Sequence, residues 1–250
     1  MSATTDTRPL DAEVLPVGLD GFLVRFALTP EPAAMTAARR FATRIEEAAP
    51  EGVVEIAAAL ISVQVRFEPS VERAALQTHL KGIADEIVSG PLDMPTPTRL
   101  WTIPVAFGGE EGPQLAQAAK AAGLTEAQAV DEICAADLRV LTIGFAPGQP
   151  YIGLMPEHWN LPRLSELNPS VPAGALVVAV RQFVLFGAES ATGWQQVGRA
   201  AFRSFVPARA EPMPLRGGDA IRFARASADE IASLSEDPDR MGGATLEVLR

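Results

Sequence analysis

Hydrophobic and polar residues alternate in two short segments near the start of the chain. The apolar positions recur every second residue, at Phe22, Val24, Phe26 and Leu28 and again at Val63, Val65 and Phe67. A period of two is typical of strands that bury one face. Between these segments the apolar residues follow the i, i+3, i+7, i+10 spacing of an amphipathic helix, at Met35, Ala38, Ala42 and Ile45.

A second helix and a further strand complete the pattern of the first half. Ser70 is in position to cap a helix whose apolar residues are Leu76, Leu80, Ile83 and Ile87. Residues 100–105 then alternate like a strand. The resulting order is strand, helix, strand, strand, helix, strand, which predicts a ferredoxin-like unit.

The pattern changes in the second half of the chain. Residues 89–97 contain three prolines and a glycine, which indicates a joint. Two helices follow, at about 113–122 and from Thr125, whose hydroxyl and Gln128 have the spacing of a capping box. After Leu138 short apolar strands alternate with Gly and Pro, at 175–180, 183–186 and 220–223, which is typical of a β-sandwich or barrel.

These patterns predict an α+β fold with two folded parts. We expect a disordered tail at 1–12, a ferredoxin-like domain at 13–90, a linker with helices at 91–137 and an all-β domain at 138–250.

Composition narrows the classes of partner. The formal net charge of −10 disfavours a nucleic-acid ligand, because the protein's field repels phosphates. No apolar run of about 18 residues indicates a membrane span, and the first twelve residues lack the features of a secretory signal. With a single cysteine, Cys134, the chain has no internal disulfide, and we expect a cytoplasmic location.

Residues 144–153 form the most unusual segment, with three glycines, two prolines and two aromatics. Such a composition predicts a rigid loop that can line a ligand cleft. Around it, Arg163, Arg181 and Arg199 can each hold an anion or form a structural salt bridge. Trp194 suits either the core or a ligand platform, and Tyr151 either a cleft wall or a buried contact.

Familiar catalytic signatures are missing from the sequence, which has no phosphate-binding loop, zinc-protease motif or nucleophile elbow. The two histidines are too few for a His-rich metal site; His79 falls among helix core positions, and His158 lies just beyond the unusual loop. Cys134 has apolar neighbours and is interpreted as a small buried residue. We therefore assign no catalytic residue and no metal ligand.

The order of the motifs resembles one known family. The loop 144–153, the Val-Pro-Ala-Gly turn at 171–174 and the segment 191–199 follow the pattern of the 5-oxoprolinase B subunit, also called allophanate hydrolase subunit 1 or the KipI family. The resemblance covers residues 14–225 and implies a cyclophilin-like barrel for the second part. The cleft residues that it implies are Gly144, Phe145, Pro147, Gly148, Gln149, Tyr151, Arg163, Pro172, Gly174, Gln182, Trp194 and Arg199.

The resemblance implies one component of a complex, inactive alone. It would work in an ATP-dependent hydrolase that opens 5-oxo-L-proline to L-glutamate, with a C subunit similar to allophanate hydrolase subunit 2 and an A subunit of the LamB/YcsF type. ATP would be used by the complex, and we expect no cofactor on this chain. Family members also include KipI-type inhibitors of sensor histidine kinases, and related domains form a carboxyltransferase half-site in urea carboxylase.

Several polar positions of the family are absent. A histidine of many members falls on Ile133 and a tyrosine on Leu138, so both polar groups are missing; if the family's histidine transfers protons, this chain lacks that group. The second aromatic of the loop is replaced by Gln149, which we expect to face a partner protein.

Overall fold

The structure is a computed structural model that describes residues 10–237 and 239–249. The chain divides into two compact units, Met1–Pro95 and Thr96–Arg250. Of the predicted disordered tail at 1–12, residues 1–9 lie outside the described residues. The boundary between Pro95 and Thr96 lies within the proline-rich segment 89–97.

The first unit is a four-stranded antiparallel sheet with two helices. Its elements are β1 (Glu13–Val17), β2 (Gly21–Arg25), α1 (Pro32–Ala48), β3 (Val53–Ala58), β4 (Ser62–Phe67) and α2 (Arg73–Val88). The strand order is β1-β2-β4-β3, and every neighbouring pair is antiparallel. The apolar sides of both helices and of the central strands share one buried core, as their periodicities require.

Two details of the first unit differ from the sequence prediction. The fourth strand is β1, which precedes the expected pattern, and the assignment of residues 100–105 to this sheet is wrong because they pair within the second unit. Helix α2 is capped by Glu72 rather than Ser70, because the Glu72 carboxylate accepts from the N–H groups of Ala74 and Ala75 at 3.1 and 2.6 Å. Leu28, the last alternating position, lies beyond β2 and is exposed.

The second unit is a closed barrel with additional helices and a small ribbon. Its strands are β5 (Arg99–Phe107), β6 (Leu138–Ile143), β7 (Pro150–Gly153), β8 (Asn168–Val171), β9 (Ala175–Ala179), β10 (Gln182–Leu185), β11 (Ser190–Thr192), β12 (Gln195–Arg199), β13 (Ala220–Arg225) and β14 (Thr245–Val248). Its helices are α3 (Leu115–Ala121), α4 (Glu126–Ala135) and α5 (Ala228–Leu234).

Seven of these strands close the barrel. They follow the order β12-β9-β10-β7-β6-β13-β5, and pairing between β5 and β12 completes the ring. Strand β14 adds to the first half of β5, while β8 and β11 form a separate two-stranded ribbon. The predicted α+β class, with an antiparallel first unit followed by a barrel, is confirmed.

The barrel interior is filled by alternate residues of its strands. Phe183 and Leu185 point inward on β10, opposite Val178 and Leu176 of β9, and join a large buried core. The intervening residues point outward and form a second buried layer with Trp194. Helices α3 and α4 add their apolar faces to the main core, and α4 begins with the predicted Thr125 capping box.

Candidate functional site

The loop between β6 and β7 is tightly folded and presents one aromatic side chain. Gly144 N–H donates to the carbonyl of Gln149, and Gln149 N–H donates to the carbonyl of Ala146, both at 3.1 Å. At the tip, Phe145 has a φ of 70° and its side chain is 80% exposed. A phenylalanine in the left-handed region is uncommon and costs conformational energy. The loop therefore holds Phe145 outward instead of packing it.

Gln149 does not have the exposure expected of a partner-facing residue. It is only 3% exposed and follows Gly148 at the base of the loop. The expectation that Gln149 faces a partner is wrong, because the loop turns this side chain into the protein and Phe145 outward.

Two glycines allow this loop and the turn 172–174 to pack closely against the same segment, residues 200–205. A Cβ on Gly148 would lie 2.6 Å from Ser204 O, and one on Gly174 would lie 2.1 Å from Ala200 O. Both glycines have positive φ, 67° and 86°, so side chains are disfavoured there twice over. Residues 144–149, 172–174 and 200–205 consequently form one end of the barrel, which we call the loop end.

Hydrogen bonds fix the turn within the loop end. Gly174 N–H donates to Phe186 O at 2.7 Å, and Ala200 N–H donates to Gly174 O at 2.9 Å. Arg199 also belongs here, with its Nε donating to Ala173 O at 3.4 Å and its Nη1 at 3.4 Å from the Glu111 carboxylate. Of the predicted cleft residues, the loop end thus contains Gly144, Phe145, Pro147, Gly148, Gln149, Pro172, Gly174 and Arg199.

The other predicted residues form a second group, which we call the aromatic patch: Tyr151, Arg163, Gln182 and Trp194. The Tyr151 and Trp194 rings meet edge to face at a centroid distance of 6.0 Å, and the Arg163 guanidinium lies 5.8 Å from the Trp194 ring centroid. Gln182 pairs across the sheet with Gly153 and Ala179. Its buried Oε1 has no hydrogen-bond partner among the described residues.

Within the aromatic patch, Gln182 lies at the end of β10 that is remote from the loop end, whereas Tyr151 pairs with Val184 in the middle of the strand. Gln182 begins the strand, whereas Phe186, which accepts the Gly174 N–H, follows its last residue. Four steps of about 3.3 Å separate them by roughly 13 Å along the strand. Gln182 is therefore separated from the loop end along the length of β10.

Arginines that the motifs did not single out surround the loop end. Arg203 is half-buried, and its Nη1 donates to the carbonyls of Ala200 and Phe202 at 3.2 and 3.4 Å. Arg209 donates to Arg203 O, Asp239 O and Arg240 O. In the sequence these residues are only scattered arginines after β12. Their spacing does not distinguish them from arginines on a solvated surface.

The cluster around His158 involves a carboxylate that sequence reasoning missed. Glu132 Oε2 accepts from Trp159 Nε1 at 2.9 Å and lies 2.7 Å from His158 Nε2. The Trp159 hydrogen bond, aided by His158, lowers the pKa of Glu132 although partial burial opposes it. The contact joins α4 to the short helical turn Glu157–Trp159. This arrangement explains His158 as a structural partner of Glu132.

The remaining candidate groups offer no activated nucleophile. Burial raises the pKa of the Cys134 thiol, so the thiolate is disfavoured. Arg181 is held by Met155 O at 2.7 Å and Glu157 at 2.8 Å, and His79 is exposed on α2. Ile133 and Leu138 are buried in the barrel core, so their side chains do not line the loop end.

Two further kinds of site are absent from residues 10–237 and 239–249. No group of three or more His, Cys, Asp or Glu side chains in these ranges is arranged to hold a metal ion. None of the helices there has the length and apolar character needed to cross a membrane.

The barrel with its preceding antiparallel unit defines the class of protein. Residues 12–215 match the family model for the carboxyltransferase domain, subdomain C and D, and the chain belongs to this family. Two curated relatives are named as the B subunit of 5-oxoprolinase. The protein from Escherichia coli O157:H7 is 40% identical over 126 residues, and that from Bacillus subtilis (strain 168) is 29% identical over 204 residues.

Coverage differs between these relatives. The match to the Escherichia coli protein spans 50% of this chain and 58% of that protein, and the match to the Bacillus subtilis protein spans 78% and 85%. The fold also resembles the urea carboxylase of Kluyveromyces lactis, with a TM-score of 0.75, 19% identity, and coverage of 96% of this chain and 25% of that one. At this identity the likeness shows the fold alone.

Proposed function

We propose that this chain is the B-type subunit of an ATP-dependent 5-oxoprolinase, which converts 5-oxo-L-proline to L-glutamate. The observation that carries the proposal is the similarity to relatives named as the B subunit of 5-oxoprolinase. The partners would be a C subunit similar to allophanate hydrolase subunit 2 and a LamB/YcsF-like A subunit. ATP would be consumed by the assembled complex, in the cytoplasm.

The geometry supports a binding and positioning role for this protein. Residues 144–149, 172–174 and 200–205 contain no His, Cys, Asp or Glu, so the loop end supplies shape and cationic groups rather than a general base. Phe145 is exposed there, and an exposed aromatic on a rigid loop is suited to fill a pocket of another protein. A partner subunit would then provide the acid-base chemistry and complete the site.

The experiment that tests this proposal is reconstitution. The chain is co-purified with the candidate C subunit, the A subunit is then added, and glutamate release is measured with ATP and 5-oxo-L-proline. We expect release only when all three proteins and ATP are present. Equal release without this chain, or none from the full mixture of folded proteins, would contradict the proposal.

A second candidate function is a KipI-type inhibitor of a sensor histidine kinase. The lack of titratable acids and bases on the three loop-end segments favours it, because inhibition by binding needs no catalytic group. The two candidates separate cleanly in an autophosphorylation assay: an inhibitor suppresses kinase autophosphorylation stoichiometrically and promotes no glutamate release. A carboxyltransferase half-site similar to that of urea carboxylase has support only from the shared fold.

A further inference from the structure

We propose that Arg203, with Ser204 and the neighbouring arginines 199 and 240, forms a binding site for the oxyanion group of a small molecule, a carboxylate or a phosphate. The site lies at the loop end. The choice of 5-oxo-L-proline as one probe rests on the proposed function, whereas the choice of phosphate as the other probe does not.

Arg203 carries a charge without a counter-ion. A guanidinium has five N–H groups, yet the bonds to Ala200 O and Phe202 O use only Nη1, at 3.2 and 3.4 Å. Within residues 10–237 and 239–249, no carboxylate lies within salt-bridge distance of Arg203. A half-buried cation is normally paired, because desolvation without a partner is costly.

The surroundings of Arg203 are electropositive. Burial is the main cause of the lowered pKa of Arg203, and the positive charges of Arg199 and Arg240 lower this pKa further. Arg209 ties the segments together by donating to Arg203 O at 3.1 Å and to Arg240 O at 3.1 Å. The charges of Arg199, Arg203 and Arg240 thus act within one region of a chain whose net charge is −10. Such a local field attracts small anions.

The nearby acids do not neutralise Arg203. Glu111 lies 3.4 Å from Arg199, and Asp239 and Asp237 act on Arg209. The Asp237 carboxylate accepts from the backbone N–H groups of Asp239, Met241 and Gly242 at 3.0, 2.7 and 3.2 Å. These contacts engage the carboxylates of Glu111 and Asp237 with other groups, the charge of Asp239 acts on Arg209, and the Nε and Nη2 donors of Arg203 stay without a protein partner among the described residues.

Ser204 gives an independent indication of a missing acceptor. The residue is 1% exposed, and its Oγ has no hydrogen-bond partner among the described residues. Ser204 Oγ lies 3.0 Å from the position of a Cβ on Gly187, while Arg203 Nη1 lies 2.5 Å from that of a Cβ on Gly174. Gly174 N–H donates to the carbonyl of Phe186, the residue before Gly187.

The hydroxyl and the guanidinium therefore flank one hydrogen bond between two loops. Ser204 Oγ has no partner, and the Nε and Nη2 groups of Arg203 make no hydrogen bond to the described residues. Charge-assisted hydrogen bonds to a carboxylate or phosphate oxygen are among the strongest that such donors make. An oxyanion that enters beside the Gly174 turn would satisfy both groups and neutralise the arginine charge.

The test is ligand-dependent thermal unfolding of the full chain. Inorganic phosphate and 5-oxo-L-proline are titrated separately, with sodium chloride added to keep the ionic strength constant. We compare the wild type with Arg203→Gln and with Arg222→Gln, an exposed arginine on β13 that serves as the matched control. We expect a saturable rise in Tm for the wild type and Arg222→Gln, and an affinity at least about tenfold weaker for Arg203→Gln.

The outcomes separate the ligand sources. A response to phosphate alone supports the site with a phosphate-bearing ligand, and a response to 5-oxo-L-proline alone supports a carboxylate ligand. No stabilisation by either anion beyond that of chloride would overturn the proposal, as would equal binding by Arg203→Gln. If Arg203→Gln does not fold, NMR of the wild-type arginine side chains decides: the Arg203 Nε–H signal must shift during at least one of the two titrations, and no shift in either would overturn the proposal.

The anion site and the proposed function can fail independently. The titrations use this chain alone and require no partner or turnover. Glutamate release by the reconstituted complex would stand if no anion bound here, and a phosphate site would stand if no glutamate were released.

Discussion

Phe145 offers the sharpest test of what the loop 144–149 does. Its φ of 70° costs a residue with a side chain about 1–2 kcal/mol, and the residue is 80% exposed, so its ring contributes little to the stability of the chain alone. Phe145→Ala keeps the strained backbone and should leave the free energy of unfolding nearly unchanged. Phe145→Gly relieves the strain and should be about 1 kcal/mol more stable than Phe145→Ala.

The effect on association should be the opposite. Burial of a phenylalanine side chain in a partner contributes about 1.5–3 kcal/mol, which corresponds to roughly 10- to 150-fold in Kd. Both variants should therefore have an affinity for the candidate C subunit that is at least about tenfold weaker than that of the wild type. Calorimetric titration gives the affinity, and urea unfolding of the free chain gives the stability.

Leu28→Ala is the matched control, since Leu28 is 78% exposed and lies in the first unit. Its affinity should equal that of the wild type. Phe145→Ala and Phe145→Gly could unfold as predicted and yet bind the C subunit as tightly as the wild type. The exposed ring would then have no part in association, which would refute the proposed role of Phe145.

Three further predictions concern the fold around the site. Gly174→Ala should destabilise the chain by more than about 2 kcal/mol in urea unfolding, because a Cβ at φ +86° would lie 2.1 Å from a backbone oxygen, whereas Gly144→Ala, with nothing within 4 Å, should cost little. Thr125→Ala should cost about 1 kcal/mol, since it removes the capping box of α4. The lowered pKa of Glu132 means that the Trp159 hydrogen bond stabilises the fold above the usual glutamate pKa of 4.5 and that this contribution disappears as pH falls through the lower folded-state value. The free energy of unfolding of Glu132→Gln, measured with urea, should therefore depend less on pH in this acidic range than that of the wild type.

Each of these has a clear contrary result. Equal stability of Gly174→Ala and Gly144→Ala would show that the turn is not seated tightly on segment 200–205. A Thr125→Ala protein as stable as the wild type would show that the cap contributes nothing. Parallel pH profiles for the wild type and Glu132→Gln would show that the carboxylate is equally easy to protonate in the folded and unfolded chains.

Local patterns predicted the elements well and their partners less well. Alternation at Phe22, Val24 and Phe26 identified β2, because one-face burial leaves a period of two in the sequence. The same pattern at residues 100–105 marked a strand but assigned it to the wrong sheet. Its partner β13 lies more than a hundred residues later, and no local signal encodes that pairing.

Side-chain direction within the loop was equally hidden from the sequence. The glycines and prolines of residues 144–153 predicted a special loop, but they could not show that Gln149 turns inward and Phe145 outward. That choice depends on the contact of Gly148 with Ser204, which folding alone brings together. The Arg203 site was missed for the same reason, since its parts come from the turn before β9, the segment after β12 and Arg240 after α5.

We propose that this chain binds its partner through the loop end of its barrel. Hydrogen exchange of the full chain, measured by mass spectrometry with and without the candidate C subunit, tests it directly. We expect slower exchange on binding for peptides covering residues 144–149 and 172–174, with no change in the exposed segment around Leu28. Tight binding with no change in either loop-end segment would contradict it.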